Sequence, residues 1–264
     1  MSIEGDPSMS VLIGVSRPSG LPTAADRATT VSGGGRTSGG RTASGGAARL
    51  EGPIKRAMDL AGALAGLALL WPILLIVAAL IRLDSPGPAL FRQVRRGRGG
   101  RPFRLLKFRS MVVDAERRLG DLEPCNESAG GVLFKVRDDP RVTRLGRFLR
   151  RSSLDELPQL INVLRGEMSL VGPRPLQLRD SERLAAVDAR GHRYRLRVRP
   201  GLTGPWQVEG RSALDYERMV ELDCDYVANH SPALDLVIIA RTLLVVLKGR
   251  GALVKRESDA VPAR

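Results

Sequence analysis

Residues that build covalent or metal frameworks are almost missing from this sequence. Its 264 residues include Cys125 and Cys224, too few and too far apart for a disulfide framework or a thiolate metal site. His192 and His230 are the only histidines, which argues against a zinc site built on several imidazoles. Lysine is scarce: Lys55, Lys107, Lys135, Lys248 and Lys255 complete the list. There is no phosphate-binding loop ending in Lys-Ser or Lys-Thr and no dinucleotide glycine pattern, so a nucleotide needs another device to hold it. No apolar core follows a basic start near the N-terminus, as a secretion signal would require. No internal repeat is evident, and the soluble part reads as cytosolic.

Positive charge is what the chain has in excess. Against 42 Lys and Arg stand 28 Asp and Glu, for a net charge of +14. Such a balance points to phosphates, whether on nucleic acid, nucleotide substrates or an anionic membrane surface. The preference for Arg favours bidentate phosphate contacts, although a GC-rich genome produces the same bias. Residues 1–50 include a Gly-, Ser- and Thr-rich run from Ser32 to Gly46 that cannot bury enough apolar surface to offset its ordering entropy. They read as a disordered tail, and residues 253–264 as a looser one, which leaves 51–252 as a single domain.

Leu60 to Ile81 are 22 residues without a charge. That is long enough to cross about 30 Å of hydrocarbon, so a membrane helix is expected over about 58–82. Pro72 lies near its middle and removes a helix bond there. Two topologies follow, a kinked spanning helix or a broken helix that enters and leaves on one face. Lys55 and Arg56 precede the run, and Arg82, Arg92, Arg95, Arg96, Arg98 and Arg101 follow it. The positive-inside tendency favours both ends in the cytoplasm, hence a re-entrant helix broken at Pro72.

Beyond the turn cluster Asp84–Pro88, Phe91 to Arg101 reads as a strand and a tight basic loop. Phe103 to Phe108 reads as a strand that delivers Lys107 and Arg109. Residues 114–132 read as a short helix and a loop. Arg141, Arg144, Arg147, Arg150 and Arg151 recur at near-helical spacing opposite Val142, Leu145, Phe148 and Leu149. This predicts a basic amphipathic helix, lying on lipid head groups or presenting a solvated face. Residues 179–190 and 213–228 read as helices. Between them a glycine- and proline-rich loop holds Trp206, an interfacial anchor or ordinary core, with Gln207 and Arg211. Ser231-Pro232 is a cap with proline at the first helical position, and opens an apolar helix over 234–247.

Asp155 and Glu156 sit where this Arg-rich segment turns into an apolar helical pattern of Leu157, Leu160, Ile161 and Leu164. Ser153 and Glu156 fit a capping box, and acids in a first turn ordinarily stabilise a helix by only about 0.3–1 kcal/mol each. Pro158 favours Asp155 as the cap instead, because proline then falls where the N–H is free anyway; Asp155 is expected on the lip of the helix, pointing outward. Arg150, Arg151 and Arg174, the last within a rigid Pro-Arg-Pro turn, add guanidiniums. Carboxylates, a helix N-terminus and arginines together suit a magnesium-bound phosphate ester.

Six motifs in order then resemble one family, the bacterial sugar transferases. They are Lys107-Phe-Arg-Ser-Met111, Asp139-Pro-Arg-Val-Thr143, Ser153-Leu-Asp-Glu-Leu-Pro-Gln-Leu160, Gly166-Glu-Met-Ser-Leu-Val-Gly-Pro-Arg-Pro175, Arg199-Pro-Gly-Leu-Thr-Gly204 and Trp206-Gln-Val-Glu-Gly-Arg211. The resemblance runs from about residue 53 to 252. It implies a monotopic, helix-rich α+β phosphoglycosyl transferase of the inner membrane, its catalytic domain facing the cytoplasm. Such a protein moves a sugar 1-phosphate from a UDP-sugar to undecaprenyl or another polyprenyl phosphate and releases UMP, an early step of exopolysaccharide or other surface-glycan synthesis.

By the same resemblance Asp155 is the nucleophile that forms an acyl-phosphate intermediate, and Glu156 is the second acid. Mg2+ is held at Asp155 and Glu156. Lys107, Arg150, Arg174 and Arg211 bind substrate phosphates, Asp235 is a further active-site position, and Pro72 is the breaking proline. Trp71 departs from members that carry Ser before that proline, which removes a possible hydroxyl-to-backbone bond. Larger members add spanning helices and a further domain, so the resemblance is to the small catalytic form. The implied partners are a UDP-sugar, a polyprenyl phosphate and anionic lipid head groups, without nucleic acid. Two rival functions fit parts of the same sequence: a membrane-tethered basic protein that binds nucleic acid or lipid without catalysis, and a hydrolase of nucleotide-sugar diphosphates.

Overall fold

The computed structural model describes residues 52–247, except 129–130, 137 and 211–214. The tails expected at 1–50 and 253–264, and Arg211, lie outside the described residues. Helix α1 (Pro53–Asp84) opens with proline at its first position, where no N–H is needed. It is the one described helix long and apolar enough to cross a membrane. The element continues through Pro72, so the break expected there is not a break in the helix. Proline removes a single ladder bond, and the turns on either side carry the helix on.

Both halves of α1 pack on the same domain. Ala63 belongs to a buried cluster with Leu105, Leu160, Val163 and Met168, whereas Val77 and Ile81 join Phe108 and Leu149. Between and around those contacts Leu64, Leu69, Trp71, Leu75 and Ile76 are exposed. At its C-terminal end, buried Arg109 donates to the carbonyls of Ile81, Ser85 and Pro86, satisfying acceptors the helix leaves open.

Strands β1 (Leu90–Arg96) and β2 (Pro102–Phe108) form an antiparallel hairpin, with Phe91 opposite Lys107 and Arg95 opposite Phe103. The expected strand that delivers Lys107 and Arg109 is therefore present. Then come α2 (Arg144–Ser152), a 3-10 turn over Leu154–Glu156, and α3 (Gln159–Leu164). Strand β3 (Ser169–Val171) pairs in parallel with β4 (Gly201–Thr203) across the helices α4 (Leu178–Val187) and α5 (Ala189–Arg195). Helices α6 (Pro205–Glu209), α7 (Tyr216–Asn229) and α8 (Pro232–Leu247) complete a helix-rich α+β domain. Leu184, Met219, Val132 and Trp206 fill one further cluster, so Trp206 is core and not an interfacial anchor. Each such large side chain contributes about 1.5–3 kcal/mol by leaving water.

Two local expectations are corrected. In α2, Phe148 faces outward beside exposed Arg144, Arg147 and Arg151, while Leu149 is buried and Arg150 turns inward. Arg141 is also turned in, sealed against Asp139 and the Ala115 carbonyl. Neither Ser153 nor Asp155 caps α3, which starts only at Gln159, after Pro158. Ser153 instead ends α2 in the left-handed region, with φ 58°. That reversal turns the acid pair inward, so Asp155 is 6% exposed and not on an outward lip.

Candidate active site

The site forms where α2 meets the end of the hairpin. Thr143 caps α2, its Oγ1 accepting from the Gly146 N–H at 2.9 Å. Gly146 lies so close to the Ser110 carbonyl that a Cβ there would sit 1.9 Å from the oxygen. One turn further on, Arg150 donates from Nε to Ser110 Oγ at 2.9 Å. The 3-10 turn brings Glu156 to Lys107, whose Nζ donates to Glu156 Oε1 at 2.9 Å. Arg174 Nη2 approaches the same oxygen at 3.5 Å.

Arg174 is placed by the β3–β4 pair. The Gly172 N–H donates to the Thr203 carbonyl and the Gly201 N–H to that of Pro173, both at 2.9 Å. A Cβ on Gly201 would lie 2.1 Å from the Gly172 nitrogen, so the two motifs touch backbone to backbone. The arginine that follows stacks over Trp206, its guanidinium carbon 5.1 Å from the ring centre. Arg95, Lys107, Glu156, Gln159 and Arg174 line one open cleft.

Asp155 is the group held unlike the rest. No hydrogen bond or ion pair within 4 Å fixes its carboxylate among the described residues. Burial raises its pKa, the nearby charge of Lys107 opposes that rise, and the charge of Glu156 adds to it. Arg150 and Arg174 exert weaker pulls towards ionisation. Burial outweighs the pull of these cations. A desolvated, unbonded carboxylate among three cations is suited to attack an electrophile whose charge those cations hold.

Of the residues expected at the site, Lys107, Arg150, Asp155, Glu156 and Arg174 come together. Asp235 makes no hydrogen bond or ion pair with them among the described residues. It accepts from Lys55 Nζ at 2.7 Å and from the Tyr226 hydroxyl at 2.8 Å, with His230 Nε2 at 3.2 Å. This buried cluster ties α8 to the start of α1, and Asp59 extends it by accepting from Ser169 and the Leu170 N–H. Arg211 lies outside the described residues. Arg95 and Gln159, which line the cleft, were not singled out from sequence. The signal for Arg95 was strand alternation: Phe91, Gln93 and Arg95 share one face of β1, and the pattern turns that face inward.

A basic α+β domain carried on one long apolar helix, with an acid pair among arginines and lysine, is a build suited to phosphate esters at a membrane. The chain belongs to the bacterial sugar transferase family, whose sequence model matches residues 50–249. It is 46% identical over 199 residues to the "Galactosyl transferase CpsE" of Streptococcus agalactiae serotype III, covering 75% of this chain and 43% of that one. It is 46% identical over 203 residues to the "UDP-galactose-lipid carrier transferase" of Erwinia amylovora, covering 75% and 41%. To the "UDP-glucose:undecaprenyl-phosphate glucose-1-phosphate transferase" of Caulobacter vibrioides it is 45% identical over 195 residues, covering 72% and 68%. The matched part of the chain thus spans about two fifths of the length of the first two relatives.

Proposed function

We propose that this protein transfers a sugar 1-phosphate from a UDP-sugar to a polyprenyl phosphate, with Asp155 as the covalent nucleophile. The observation that carries this reading is the Asp155 carboxylate, buried, without a hydrogen bond or ion pair among the described residues, and within the charge influence of Lys107, Arg150 and Arg174. An oxygen of Asp155 attacks the phosphorus that bears the sugar. The bond from that phosphorus to the bridging oxygen breaks, and UMP leaves with the electron pair. An oxygen of the lipid phosphate then attacks the same phosphorus, and the acyl-phosphate bond breaks to return Asp155 as a carboxylate. Lys107 and Arg174, which share Glu156, offset the charge that builds up on the equatorial oxygens.

The names of relatives support both substrates, since they include a UDP-glucose donor and an undecaprenyl-phosphate acceptor. The donor set also fits magnesium in part. No group of three or more His, Cys, Asp or Glu gathers among the described residues, but magnesium is commonly held by one or two carboxylates plus substrate phosphates. Asp155 and Glu156 would be those carboxylates, and the ion would supply further charge neutralisation at the diphosphate.

The contacts of α1 support a re-entrant course, and the basic residues that flank its apolar run favour a cytoplasmic domain. Ala63 and Val77 are fourteen residues apart, about 21 Å along a straight helix. They join clusters that include Leu105 and Phe108 of the same strand, so both halves of the helix stay on one domain. The exposed face of α2, Arg144, Arg147, Phe148 and Arg151, would then meet anionic head groups beside the emerging helix.

The test is intact mass after incubation with UDP-sugars and Mg2+, without lipid acceptor. A gain of one sugar phosphate, absent in Asp155→Asn, is expected and identifies the sugar. UMP release that ignores polyprenyl phosphate would favour the hydrolase instead. No UMP release with any donor would favour a binding protein.

A further inference from the structure

The Pro173-Arg174-Pro175 turn has a shortage of donors, because neither proline carries an N–H. Two buried arginines reach its carbonyls. Arg195 Nη2 donates to the Arg174 carbonyl at 2.8 Å, and Arg95 Nη1 donates to that of Pro175 at 3.0 Å. The two resemble each other in burial, at 4% and 9% exposure. They differ in charge balance. Arg195 has its own counter-ion, fully buried Asp223, at 2.7 Å. Arg95 has no carboxylate within 4 Å among the described residues; Asp180 and Glu156 act on it only from further away. Its Nη2 is held by the Gln93 amide oxygen at 2.5 Å, and its Nε is buried without a partner.

A buried guanidinium without an ion pair is costly to keep charged, and an anion that enters its surroundings recovers that cost. Arg95 lines the cleft with Lys107 and Arg174. From this asymmetry we infer that Arg95 belongs to the phosphate site, and that the diphosphate of the donor is its missing counter-ion. The assignment rests on the transferase reading for the identity of the ligand, and on geometry alone for the need of an anion. Burial and the charge of Arg174 lower its pKa to about 10, still well above neutrality, so it stays cationic and its charge awaits a partner. Arg195 performs the same clamp on the turn with its charge already neutralised, and so serves as the internal contrast.

The experiment is calorimetric titration of UDP into the detergent-solubilised full chain, for wild type, Arg95→Lys, Arg95→Gln and Arg195→Lys. Glutamine can still donate to the Pro175 carbonyl but has no charge, whereas lysine keeps the charge. A role in anion binding predicts that Arg95→Gln weakens UDP binding at least about tenfold, the scale of one charge-assisted hydrogen bond. Arg95→Lys should recover much of that loss, and Arg195→Lys should leave UDP affinity within about threefold of wild type. In turnover, Arg95→Lys should raise KM for the UDP-sugar more than it lowers kcat. UDP affinity in Arg95→Gln equal to wild type, or better than in Arg95→Lys, would assign the residue to the turn alone and overturn the inference. A chain that binds UDP through Arg95 yet transfers no sugar phosphate would overturn the transferase reading and leave this one standing.

Discussion

Burial raises the pKa of Asp155 because no hydrogen bond among the described residues replaces the water its carboxylate has lost. The sign for stability follows. An acid that holds its proton more tightly folded than unfolded costs stability as pH climbs from its unfolded to its folded pKa, and the cost persists above that window. Asp155→Asn should therefore abolish transfer yet leave the melting temperature at neutral pH equal to or above wild type, with less loss of stability between acid and neutral pH. A clear drop in melting temperature would place Asp155 among structural residues. On the proposed mechanism transfer needs the ionised form, so the acid limb of kcat/KM should lie above the ordinary carboxylate range. Asp235 behaves in the opposite way. Burial would raise its pKa too, but His230, Lys55 and Tyr226 together hold it below the ordinary value. Its contribution is present above the unfolded pKa and is lost as pH falls through the folded one. Asp235→Asn should destabilise the protein by about 1–3 kcal/mol, read by denaturant unfolding, because it leaves Lys55 with only the more distant carboxylate of Asp59, at 3.9 Å.

Among the elements, α2 decides where Arg150 and the acid pair lie, and it does so through Gly146. A methyl group there would overlap the Ser110 carbonyl, so Gly146→Ala must push the helix away from the hairpin. We expect a loss of about 1–3 kcal/mol in thermal or denaturant unfolding, together with a fall in kcat/KM as Arg150 leaves Ser110. Wild-type activity in this variant would show that α2 can shift without moving the acids. Elements were largely legible from pattern: the hairpin from its alternation and glycines, α8 from Ser231-Pro232, α1 from its apolar length. What stayed hidden depended on contacts between distant segments. The reversal at Ser153 puts an ordinary side chain at positive φ, which local preference argues against, and so the start of α3 and the direction of Asp155 were misread. Gly172 and Gly201 mark a backbone contact about thirty residues apart, which no periodicity reports. Arg95 could have been read from alternation along β1, yet its charge made it look like one more membrane flank.

At the scale of the whole molecule, α1 is a 32-residue helix, about 48 Å long if straight, and both ends are fastened to one domain. At the start, Arg56 donates to the Val163 and Leu164 carbonyls, while Lys55 is locked to Val171 and Asp235. At the finish, Arg109 holds the carbonyls of Ile81, Ser85 and Pro86. A spanning helix would have to surrender one of these sets, including a buried ion pair, to put its ends on opposite sides of the bilayer. The proposed re-entrant course keeps both sets, with the exposed apolar stretch around Trp71 in the hydrocarbon and the charged ends at the surface. Membrane-impermeant labelling tests this directly. Cysteines placed at residue 50 and near the C-terminus, with exposed Cys125 replaced, should both react only when the cytoplasmic face is opened. Pro72→Leu restores the missing ladder bond and favours a straight helix, so in that variant residue 50 should begin to label from outside while transfer falls. Residue 50 labelled from outside in the wild-type sequence would establish a spanning helix and require the Lys55–Asp235 anchor to be open in the membrane.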